Sequence, residues 1–102
     1  MIHLPTEAQL SRLPEDFARL GAEVVDLRER HRQADLKLDA LQAELESAPQ
    51  RDAEASAKAL RAGSKDPGTV LTSKAQKAVA AQEAQVRALE MAVKDAENDL
   101  DR

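Results

Sequence analysis

Cysteine, tryptophan and tyrosine are absent from the chain, and Phe17 is its single aromatic residue. Without cysteine there is neither a disulfide frame nor thiolate chemistry. A core almost free of aromatic side chains buries little area per residue. Glycine is scarce as well: three in 102 residues, two of them at positions 63 and 68. The chain contains no glycine-rich phosphate loop, nucleophile elbow or Cys/His metal spacing. The two histidines, His3 and His31, stand far apart in the sequence. No run is apolar and long enough to span a bilayer, and no signal-peptide core follows Met1. These absences lead us to expect a protein that is not an enzyme, holds no metal or cofactor, and is cytoplasmic or sits within a macromolecular assembly.

What is present points to helices. Apolar residues make up 42% of the chain, mostly alanine and leucine, and charged residues 33%. Runs of Ala, Glu, Gln, Lys, Arg and Leu are the composition of long helices and coiled coils. The net charge of −4 bears on solubility and not on fold.

Between Leu10 and Leu45 the residues Leu10, Leu13, Phe17, Leu20, Val24, Leu27, His31, Ala34, Leu38, Leu41 and Leu45 recur in steps of three and four. This is a heptad repeat with Leu10, Phe17, Val24, His31, Leu38 and Leu45 at a. Pro14 suits a first helical position, with Glu15 and Asp16 where the helix dipole favours anions. Thr6 to Gln9 reads as a capping box that opens a short turn before it. Pro49 removes a backbone donor and predicts a kink or break, with Ser47 as cap of a restart. An alanine-rich segment then leads to Gly63, a helix stop, and to the turn chemistry of Asp66-Pro67-Gly68. That bend lacks the Trp-x-Gly turn of one well-known group of small secreted hairpins. Ser73 and Gln76 resemble a further capping box, followed by heptads through Thr72, Val79, Val86, Val93 and Leu100.

The fold predicted is all-α: a single antiparallel helical hairpin or coiled coil over residues 1–102. Helix 1 is expected over about 14–47, an alanine-rich helix over 50–62, a turn over 63–72 and helix 2 over 73–101. Folding near Pro67 pairs residues whose numbers add to 134; folding near Gly63 and Ser64 gives 127. The first matches large residues with small and is preferred. It leaves Leu13, Phe17, Leu20, Val24 and Leu27 without a partner helix. Burying each is worth roughly 1.5–3 kcal/mol, and soluble monomers rarely leave such a stripe in water. The stripe, with His31 as a weak polar layer, is therefore the expected contact with another copy or with a partner protein's helix. Parallel self-pairing would set Glu23 against Arg28 and Arg30 against Asp35.

The bend has a charge of its own. Residues 58–77 carry Lys58, Arg61, Lys65, Lys74 and Lys77 against Asp66, a balance of +4, and the remainder carries −8. Helix C-termini favour cations, which accounts for Lys58 and Arg61 but not for Lys74 and Lys77. The leading expectation is a structural or interaction protein, a scaffold or assembly part of a larger complex such as a phage particle or secretion apparatus. The runner-up is a nucleic-acid or other polyanion binder using the basic tip, although that tip has no aromatic residues to stack on bases.

Overall fold

A computed structural model of the chain describes residues 7–101, with side chains from 15 to 101. Two helices account for nearly all of it: α1 (Glu7–Arg61) and α2 (Val70–Asp101). They pack side by side as an antiparallel hairpin in a rod of 86 × 20 × 16 Å.

The first helix is longer and less interrupted than its sequence implies. It starts at Glu7 and runs through both Pro14 and Pro49 as one element of 55 residues. Pro14 is thus not the first helical residue, and the expected helices over 14–47 and 50–62 are one. At Pro49 the carbonyl of Leu45 loses its helical N–H partner. Continuity survives because the core-facing positions stay in phase across the ring: Leu45 is half-buried, Ala48 and Asp52 are buried, and Pro49 faces water. The same neighbouring helix therefore holds both sides of the interruption. Ser47 caps nothing; its hydroxyl donates to the Glu44 carbonyl at 3.0 Å.

The end of α1 is closed by its glycine as expected. Gly63, at φ 71°, donates to the Leu60 carbonyl at 3.2 Å, and Ser64 donates to Ala59 at 2.8 Å. This is the paired closure of a Schellman motif, which needs a left-handed residue. The loop then doubles back along α1. The Asp66 carboxylate accepts from Ser56 Oγ at 2.6 Å and from the Gly68 N–H at 2.8 Å.

The second helix opens three residues before the predicted capping box, at Val70. Its cap comes from the other helix. Asp52 Oδ1 accepts the Leu71 N–H at 3.0 Å, and Oδ2 accepts the Thr72 N–H at 2.8 Å and the Thr72 hydroxyl at 2.6 Å. Two of the orphan donors of a helix N-terminus are thereby satisfied by one buried carboxylate.

This contact helps to set a register different from the one expected. Directly bonded cross-helix pairs (Arg28–Glu97, His31–Glu90, Ala34–Gln82, Asp52–Leu71, Asp52–Thr72) have numbers adding to between 116 and 125. The core cluster of Ala34, Val86 and Leu89, with Leu27 and Leu38 against it, brackets the same value. Among heptad-consistent alignments the nearest is 120, one heptad from 127 and two from 134. It sets Val24 level with Ala96 and Ala34 level with Val86, large against small, and all four are buried. Gln82 lies near Leu38 and donates to the Ala34 carbonyl at 2.9 Å rather than facing Asp52.

Candidate association surfaces

Shifting the register moves most of the expected stripe inside the molecule. Val24 is 3% exposed and belongs to the hairpin's own core, and Leu27 packs against the central cluster. Leu20 is half-buried, level with Leu100. Phe17 alone of the described stripe stands open, 62% exposed, immediately past the end of α2. Leu13 lies outside the described side chains. Residues 7 to about 18 of α1 thus form an arm that α2 does not accompany, about 18 Å long at the helical rise.

Two of the residues expected to pair across a parallel self-association make ion pairs within the chain. Arg28 is engaged within the chain, its Nε and Nη2 both donating to Glu97 Oε1, at 3.1 and 2.6 Å. Arg30 pairs with Asp26 at 3.2 Å, one turn back. His31 sits half-buried on the seam, its Nε2 3.4 Å from Glu90 and 3.8 Å from Asp35. Its place is at the helix–helix joint and not on a free face. On the outer surface, hydrogen bonds from Arg32 and then Gln33 lower the Glu29 carboxyl to about 2.

All five predicted tip cations are exposed: Lys58, Arg61, Lys65, Lys74 and Lys77. They are not gathered in one place. Lys58, Arg61 and Lys65 mark the apex. By the register Lys77 lies level with about residue 43, roughly 25 Å back along the rod. Lys58 and Arg61 flank a shallow depression floored by Ala57 and Ala62, while Lys74 and Lys77 border another with Val70. The apex also shows apolar surface that sequence reasoning missed: Leu60 is 66% exposed and Val70 60%. Leu60 lies one position off the heptad stripe, which is the signal that it points away from the core.

An open groove follows one flank, lined by Gln33 and Lys37 of α1 and Ala78 and Gln85 of α2. Among the described residues no cluster of three or more His, Asp or Glu side chains is placed to hold a metal. No helix among them is long and apolar enough to cross a membrane. No known protein family, curated protein or solved structure matches the chain.

Proposed function

We propose that this chain is a non-enzymatic structural module that associates through the N-terminal arm of α1, as a scaffold or assembly part of a larger complex. One observation carries the reading: Phe17, on the heptad stripe of α1, is 62% exposed, whereas Leu20, Val24 and Leu27 of the same stripe are covered by the hairpin. Covering Phe17 is worth roughly 1.5–3 kcal/mol. The remaining stripe is satisfied within the hairpin, so the contact is confined to the arm. Its partner is another copy or another protein's helix.

Light scattering over a concentration series tests this. The mass of the wild-type chain is expected to rise above 11.1 kDa, while Phe17→Glu stays there with an unchanged helical circular dichroism spectrum. A wild-type chain that stays monomeric and behaves like the variant overturns self-association. Polyanion binding at the hairpin end has weaker support, because its cations are strung along the rod. That reading requires salt-dependent nucleic-acid binding that disappears when Lys65, Lys74 and Lys77 are changed to Glu.

A further inference from the structure

We propose that the grooved flank of the hairpin is the contact with a second copy of this chain, laid alongside and antiparallel to form a four-helix bundle. The inference rests on the association proposed above and names its partner. Where the heptad stripe offers only the arm, the flank beside it supplies the rest of the contact.

On α1 the heptad position bordering the groove, g, is charged throughout: Asp16, Glu23, Arg30, Lys37, Glu44, Arg51 and Lys58, all exposed. Laid antiparallel on a second copy about Lys37, this series matches itself. Asp16 meets Lys58, Glu23 meets Arg51 and Arg30 meets Glu44, each twice, and only Lys37 meets its like, on the axis. Sliding by one heptad sets Arg30 against Lys37 or against Arg51, and an in-register parallel pairing sets every charge against its own copy. Such a pattern selects orientation and register more than it adds affinity. Asp16 and Arg30 also hold exposed local partners one turn away, Arg19 and Asp26.

On α2 the same flank is built from small residues. Ala78, Ala81, Ala88 and Ala92 surround Gln85, with Lys74 before them and Asp95 after. This series also matches itself antiparallel, about Gln85: Ala78 lies against Ala92, Ala81 against Ala88 and Lys74 against Asp95. Side chains this small let two helices approach closely.

The fold joins the two series. Lys37 and Gln85, their centres, both line the groove. Their numbers add to 122, inside the range of 116 to 125 for bonded pairs across the hairpin. One twofold axis therefore passes both centres, and a single second copy satisfies both helices. At the alignment of 134 the centres would stand about 18 Å apart along the rod. Gln82 lines the groove as well, 9% exposed, with its Nε2 bonded to the Ala34 carbonyl and no partner for Oε1 among the described residues. Gln85 of the second copy, one turn from level with it, brings an amide donor to that acceptor. The same pairing sets Phe17 level with Ala57 of the second copy, at the depression flanked by Lys58 and Arg61, so arm and flank belong to one contact. Both copies give the same surface, and association closes at the dimer.

Sedimentation equilibrium tests this with two charge-reversed variants of the full chain, Glu23→Lys with Glu44→Lys, and Arg30→Glu with Arg51→Glu. The wild type is expected to be a dimer that weakens as salt rises. Each variant alone associates at least tenfold more weakly, with an unchanged helical circular dichroism spectrum. Mixed in equal amounts, the two form a one-to-one dimer, because every reversed charge then meets its opposite. The chain has no cysteine, so Gln85→Cys gives a second reading: oxidation is expected to link two copies at the axis, whereas Arg87→Cys, on the other side of α2, links none. Charge variants that dimerise as the wild type does while Phe17→Glu stays monomeric overturn the flank and leave the arm. Charge variants that fail alone and rescue one another while Phe17→Glu dimerises normally support the flank and overturn the arm. A wild type that is monomeric at every concentration and salt overturns both.

Discussion

Asp52 occupies an a position, where an apolar residue packs best, yet it is buried at 6% exposure with its carboxylate fully bonded. In the sequence it is an acid in an alanine-rich stretch, and nothing local shows that it serves a helix that starts eighteen residues later. The hydrogen bond from the Thr72 hydroxyl, with those from the Thr72 and Leu71 N–H groups, holds its carboxyl below the usual range. Asp66 is lowered likewise, by Ser56 Oγ and then the Gly68 N–H. Both are depressed in the folded chain, so the unfolded chain binds more protons as pH falls through the ordinary carboxylate range. Their stabilisation is complete above that range and is lost below it. Thermal melts should be flat from neutral pH to about pH 5 and fall below about pH 4. Asp52→Ala should lower the melting temperature at neutral pH by about 5 °C and shallow the acid limb. A variant that melts like wild type would show that the cap contributes nothing.

At the scale of the elements, α1 keeps a proline in its interior because packing outweighs local preference. The missing Leu45–Pro49 hydrogen bond is expensive, about 3 kcal/mol in an unsupported helix. Pro49→Ala restores the bond without touching the core face, and it should stabilise the hairpin by about 2 kcal/mol in urea unfolding. No gain would mean that the helix bends to accommodate the ring and that α2 is fitted to the bend. The register carries a related lesson. A heptad pattern is unchanged when one helix slides by seven residues, so values of 134, 127 and 120 present almost the same stripe. Bulk matching from Leu and Ala alone does not separate them. Polar groups do: Asp52 has to reach the first turn of α2, Arg28 has to reach Glu97, and the loop folds back to tie Asp66 to Ser56.

For the whole molecule the thin core dictates the shape. Among the described residues no side chain is fully buried, and the buried ones are Val, Leu, Ala, one Gln and one Asp. Such a chain gains stability by length and not by depth. Its Cα radius of gyration is 24.2 Å, against about 13 Å for a compact domain of this size. Small-angle scattering at low concentration should return a value near the larger figure, and a value near the smaller would exclude an extended hairpin. The rod is also graded in charge: residues 15–28 and 92–101 at one end sum to −5, and residues 51–69 at the hairpin end sum to +1. That grading was half legible in the sequence. The basic bend is contiguous, whereas the acidic end is assembled from two segments far apart in the chain.

Periodicity, composition and turn residues were sufficient to determine two long helices, an antiparallel hairpin and a bend at Gly63 and Gly68. These features depend on neighbours within a turn or two, which sequence displays directly. Tertiary structure alone decided the alignment of the helices, the capping of α2 by Asp52, the burial of Val24, and the reduction of a five-residue stripe to an arm that opens at Phe17. Each of those depends on which residue lies opposite which, and a repeating pattern leaves that choice to a few polar contacts made across the hairpin.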